Sequence, residues 1–287
     1  MTSGPVVVRA GRPLDDRALR WAAAEAARRG VPLRIVVPAA APEPPAGTSA
    51  GSPGDAFAEA LVVARKSAPG VVVTGGPVPA AGAAALRELS ADAAVVVVAA
   101  AEPDLADVVA DAYCPVAVVP GTDPPRSGPV VLGATPWTCE EAFDLAFREA
   151  AARGAPLEAV RAVDETSTGH GYHPAGIGAA ARQARRELEV TLAVWATEHP
   201  GVDVRALVVE DPPAMLLADL SHRAQLLVLG RSVRGVLLAG RAGSPVDAIA
   251  HGARCPVLVV PADGPPRDRW LPAGPAVPFR RHPSRRR

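Results

Sequence analysis

Between two apolar runs near the C-terminus lie the residues best suited to hold an anion. The stretch LLVLGRSVRGVLLAGRAGSPVDAIAHGARCPVLVVP covers residues 226–261. Leu226–Leu229 reads as a strand. Gly230, Gly235, Gly240 and Gly243 make a loop, Ser244 and Pro245 begin a short helix, and Cys255-Pro256 leads into a second run, Val257–Val260. A strand, a glycine loop and a helix N-terminus can point backbone N–H groups and a positive partial charge at a phosphate. Arg231, Arg234 and Arg241 could add guanidinium contacts. The same residues also make a sound helix start, with Ser244 as N-cap, Pro245 at N1 and Asp247 at N3. Pro245 removes one N–H from the first turn, and Asp247 places negative charge there.

Other groups offer less. Cys114 and Cys255 each precede a proline ahead of an apolar run, where packing is the expected role. Cys139, at a helix start, is the best placed of the three thiols for reactivity, although packing is the commoner role there too. His170 and His173 in GHGYH have no evident third ligand, so a surface loop is expected. Glu140 and Glu141 read as first-turn helix charges. No HExxH or Walker A motif occurs.

Composition narrows the partners. The 287 residues are 49% hydrophobic but only 3% aromatic, so the cores must be built from Val, Leu and Ala. Acidic and basic residues balance at 30 each, which favours neither nucleic acid nor an acidic membrane as partner. No apolar run approaches the about 18 residues of a membrane span. Three cysteines without a CxxC imply no disulfide framework, and the N-terminus has no signal-peptide pattern. The expected location is the cytoplasm.

The elements that must position these residues come in two copies. VVVRAGRPLDDRALRWAAAEAARRGVPLRIV begins at Val6, and VVLGATPWTCEEAFDLAFREAAARGAPLEAV begins at Val130. They align without a gap at an offset of 124, which places Gly30 on Gly154 and Leu33 on Leu157. The offset is 131 by Pro69-Gly70-Val71 and 141 at Cys114-Pro115, so the first copy lost ten residues from its last loop. Continuous apolar runs alternate with helical stretches, which predicts parallel strands buried on both faces with helices between them. The expected domains are residues 4–121 and 130–262, joined by the linker 122–129. The Pro/Arg-rich tail 263–287 is expected to be disordered.

VVxG at the first strand, AxRGAPLxxV after the first helix, PGVxV, and the ending LVLG…GS…CPVLVVP resemble the universal stress protein family across nearly all of residues 4–262. The resemblance implies two tandem doubly wound five-stranded parallel α/β sandwiches, strand order 3-2-1-4-5, of the adenine nucleotide alpha hydrolase-like type. It implies pairing of two domains across their last strands, here as a pseudo-dimer within one chain; it also allows a homodimer and leaves a protein partner unnamed. Some members bind ATP or another adenine nucleotide through G-x-x-G, nine residues, then G-[ST]. On the second half this pattern falls on Gly230, Val233 and Gly243-Ser244, with Val233 replacing a glycine; the nucleotide-binding candidates are Gly230, Arg231, Arg234, Gly243 and Ser244. The family's first-strand Asp is read at Ala134, and at Ala10 in the first half, so neither half has it. In the first half, Gly243-Ser244 correspond to Glu102-Pro103, which argues against nucleotide there. The expected function is therefore a non-catalytic stress-response regulator. The alternatives are an adenine-nucleotide sensor working through the second half and, behind it, a slow nucleotide hydrolase.

Overall fold

A computed structural model describes residues 4–11, 14–39, 52–79, 82–125, 127–163, 174–230 and 252–261. The first half runs β1 (Val6–Arg9), α1 (Asp16–Arg29), β2 (Leu33–Pro38), α2 (Pro53–Ser67), β3 (Val73–Val78), α3 (Ala83–Ser90), β4 (Val95–Ala99), α4 (Leu105–Asp111) and β5 (Val116–Val119). The second runs β6 (Val130–Gly133), α5 (Glu140–Arg153), β7 (Leu157–Ala162), α6 (Pro174–Glu198), β8 (Val204–Val209), α7 (Pro213–Ser221), β9 (Leu226–Gly230) and β10 (Val257–Val260).

Local signals explain the helix limits. Asp15 caps α1 by accepting hydrogen bonds from the N–H groups of Arg17 and Ala18, at 2.8 and 3.3 Å. Gly30 and Gly154 end α1 and α5 in the left-handed region, with φ of 63° and 59°, where a side chain would be strained. The buried stripe of α1 is Ala18, Leu19, Ala22, Ala23 and Ala26. Its small residues let the helix lie close to the sheet. In α5 the stripe carries Phe143 and Phe147, which stack on Trp195 of α6 at centroid distances of 6.5 Å.

Among the described residues the strands form one sheet in the order β3-β2-β1-β4-β5-β10-β9-β6-β7-β8. Each half keeps the order 3-2-1-4-5 and is parallel throughout. The two sandwiches join into one sheet, in keeping with the expected pairing of the halves across their last strands. β5 and β10 pair antiparallel, with Ala117 opposite Leu258, so each covers the other's open edge. One face of this sheet packs on α1, α2, α5 and α6 through residues such as Val8, Leu132 and Leu258. The other packs on α3, α4 and α7 through Val7, Val98, Leu227 and Val259.

One strand departs from expectation. The apolar run in the sequence predicts a strand over Val71–Thr74, but β3 spans Val73–Val78 and runs through Gly75, Gly76 and Pro77. As the sheet's edge strand it tolerates proline. At Gly75 a Cβ would lie 1.8 Å from the Ile35 carbonyl oxygen, and φ is 124°, so only glycine allows this pairing with β2.

Candidate functional site

In an open parallel sheet the ligand crevice lies beyond the carboxyl ends of the strands, where successive helices leave for opposite faces. Here that means the ends of β1 and β4 in the first half and of β6 and β9 in the second. The registers Val8 to Val97 and Gly133 to Leu229 bring each pair of ends together. In the first half, α1 packs on one face and α4 on the other, which opens the crevice between them.

A charge cluster occupies the first crevice. Arg9, the last residue of β1, is 4% exposed and lies on the α3/α4 side of the sheet, since its neighbours Val8 and Ala10 face α1. Its Nη1 donates to Asp104 Oδ2 at 2.8 Å and its Nη2 to Asp104 Oδ1 at 2.6 Å. The same Nη2 lies 3.2 Å from Glu102 Oε2. Hydrogen bonds from Arg9 hold the Asp104 carboxyl below its ordinary range, assisted by the Arg9 charge and the Ala83 backbone at the start of α3. Burial pushes Glu102 up; Arg9 opposes this and the negative charge of Asp104 adds to it. The expectation that Glu102-Pro103 replaces phosphate donors thus acquires a partner that sequence reasoning missed. The available signal was a lone arginine closing an apolar strand, where the second copy has Gly133.

The second crevice is built differently. Among the described residues no ion pair spans the ends of β6 and β9. A Cβ at Gly133 would lie 2.6 Å from Leu229 Cδ2 and 3.4 Å from Leu217 Cδ1, so two leucines fill the side that Arg9 takes in the first half. Gly230 packs under the β6–α5 loop, where a Cβ would be 3.4 Å from Thr138 Cγ2 and 3.5 Å from Ala142 Cβ. That loop is a tight hydroxyl turn. Thr135 N donates to Thr138 Oγ1 at 2.8 Å, and Trp137 N donates to Thr135 Oγ1 at 3.1 Å. It leaves Trp137 61% exposed on the carboxyl side of the sheet.

Of the predicted nucleotide contacts, Gly230 takes this place at the end of β9, whereas Arg231, Arg234, Gly243 and Ser244 lie outside the described residues. Ala134 and Ala10 are both buried in the core on the α1/α5 face. A carboxylate at either would point into that core. The loop residue that reaches the crevice mouth is Thr135, two positions past Gly133.

The remaining candidates recede. Cys139 is the N-cap residue of α5, but burial raises its thiol instead of activating it. Burial also pushes Cys114 and Cys255 up to about 12, as suits packing residues. His170, His173 and the tail 263–287 lie outside the described residues, among which no group of three or more His, Cys, Asp or Glu could hold a metal ion. Shallow depressions line the linker at Arg20, Asp123 and Pro125 and at Thr122, His222 and Arg254; neither reaches a strand-end crevice. Among the described residues no helix is long and apolar enough to cross a membrane.

The sequence profile of the universal stress protein family matches residues 130–261. A universal stress protein of Mycobacterium tuberculosis is 30% identical over 282 residues, covering 86% of this chain and 92% of that protein. The chain belongs to the universal stress protein family. Another universal stress protein of M. tuberculosis is 37% identical over 155 residues, and there the chain spans about half the length of its relative, 52%. Among solved structures, a functionally unknown protein from Pseudomonas aeruginosa PAO1 has a TM-score of 0.62 at 15% identity, covering 91% of this chain and 94% of that one. A universal stress protein from Archaeoglobus fulgidus has a TM-score of 0.58 at 14% identity, covering 91% and 97%. Both likenesses span the two halves and concern the fold.

Proposed function

We propose that this universal stress protein is a non-catalytic stress-response regulator whose first half holds no nucleotide. Residues 4–121 and 130–262 act as its two domains. The observation that supports this most is Arg9, buried between Asp104 and Glu102 at the strand ends where a phosphate would need donors. An incoming phosphate would have to displace a bidentate carboxylate–guanidinium pair and would face two carboxylates.

A second reading is adenine-nucleotide sensing through the second half, with Gly230, Arg231, Arg234, Gly243 and Ser244 as contacts. It is favoured by the β6 and β9 ends, which no described ion pair spans, and by exposed Trp137 on their side of the sheet, an aromatic face on which a base can stack.

Calorimetric titration of the full chain with millimolar ATP tests both. Regulation without nucleotide predicts no saturable heat. Sensing predicts one site per chain, abolished by Gly243→Asp, with a tryptophan fluorescence change that Trp137→Phe removes. Two sites per chain would contradict the first-half assignment, and protein-dependent release of ADP would contradict a non-catalytic role.

A further inference from the structure

Above the seam of the sheet, two glutamates and two arginines from opposite halves meet out of water. Glu25 and Glu149 are 1% and 4% exposed. Arg29 Nε donates to Glu25 Oε1 at 2.5 Å within α1, and its Nη2 crosses to Glu149 Oε1. Reciprocally, Arg153 Nη1 donates to Glu149 within α5, and its Nη2 crosses to Glu25 Oε2 at 3.0 Å. Glu25 matches Glu149, and Arg29 matches Arg153, at the same repeat offset of 124. The contact therefore has the reciprocity of a two-fold interface, in which each half presents the same patch to the other. The cluster is not fully symmetric: Arg28 also binds Glu25, at 2.7 Å, and its counterpart is Ala152.

We propose that this Glu-x-x-x-Arg quartet is a pairing code that selects which half docks on which, in addition to the β5–β10 strand contact. Four considerations carry it. A buried ion cluster gives up much of its Coulomb gain to desolvation, so stabilisation alone is a weak reason for one. Mispaired charge is costly, so the cluster discriminates strongly against wrong partners. The strand seam is unselective, because Val116–Val118 and Val257–Val259 are short apolar runs paired through backbone groups that any edge strand offers. Finally, a self-complementary patch suits a half from a second chain as well as the half on its own chain.

Charge exchange in the full chain tests the code. Glu25→Arg with Arg29→Glu, together with Arg28→Ala to remove the additional partner of Glu25, reverses the first half, and Glu149→Arg with Arg153→Glu reverses the second. Each reversal keeps an i,i+4 ion pair within its helix while turning both cross-seam contacts into like-charge pairs. Each half-reversed chain is expected to lose about 8 °C or more of thermal midpoint, and the chain carrying both reversals to recover to within about 3 °C of the original. When the two half-reversed chains are refolded together at equal concentration, native mass spectrometry should show a mixed dimer in which like-coded halves pair. Failure of the doubly reversed chain to recover, or no more mixed dimer than either variant forms with itself, overturns the proposal. A purely stabilising cluster would not direct the choice of partner.

Discussion

The two strand-end crevices share a strand pairing and differ in the described residues that fill them. At the end of β1 a buried guanidinium meets two carboxylates; at the matching end of β6 stands a glycine flanked by Leu217 and Leu229. The cores beside them differ in the same sense. Ala23 lies on the inner face of α1, where α5 has Phe147 stacked against Trp195. The sheet order survived both exchanges, because strand order depends on apolar runs and helical crossovers and not on the residues at the strand ends. What those residues decide is whether a ligand meets an internal ion cluster or, among the described residues, apolar packing.

That contrast can be broken deliberately. The largest effect is expected from Phe147→Ala, which empties a fully buried ring site beside Trp195 and should lower unfolding free energy by about 3–5 kcal/mol in urea denaturation. Next, Glu102→Gln combined with Asp104→Asn removes the two carboxylates that meet Arg9 at the strand ends. Their side chains are 18% and 26% exposed, so water offsets part of the loss, and about 2–3 kcal/mol is expected by the same measurement. If the paired change costs nothing, the first crevice is not held by charge. The edge strands allow a further comparison: Gly75→Ala should cost about 1–3 kcal/mol, because its φ of 124° and the Ile35 carbonyl exclude a side chain. Ala206→Gly at the matching place in β8 should cost no more than about 1 kcal/mol.

The smallest effect is in pH. Asp104 titrates below its ordinary 3.8 when folded, so its contribution is present above that value and is lost as pH falls through the folded one. Glu102 is raised above 4.5, so folded protein takes up its proton first, and its ionised form costs stability that acidification through that range returns. Followed from pH 6 down to pH 3, the fall in stability on acidification should be smaller in Asp104→Asn, and a slight rise should be missing in Glu102→Gln. A profile unchanged by either substitution would show that neither carboxyl is coupled to Arg9.

Much of the fold was legible residue by residue. The apolar runs from Val6 and Val130, the glycines closing both first helices, and the constant offset between them announce a duplicated α/β unit, since these signals act over a few neighbouring positions. The site was less legible. Glu102 is visibly out of place in a phosphate loop, but nothing nearby names its partner, which lies on another strand. Cys139 looks activated by a helix end until burial is known, and burial overrides the helix dipole. The apolar run stops short of the end of β3, because Gly75 and Pro77 carry no strand signal and it is the edge position that accommodates both.

The sequence by itself determined the two copies, their helices and strands, and the family they belong to, because those follow from local pattern and repetition. Only the tertiary structure decided the antiparallel register of β5 on β10, that Arg9 is bound to a carboxylate 95 positions away, and that Glu25 meets Arg153 across the seam. The reason is physical. Backbone conformation responds to neighbours along the chain, whereas the cost of a buried charge depends on whichever opposite charge the fold brings within about 3 Å of it.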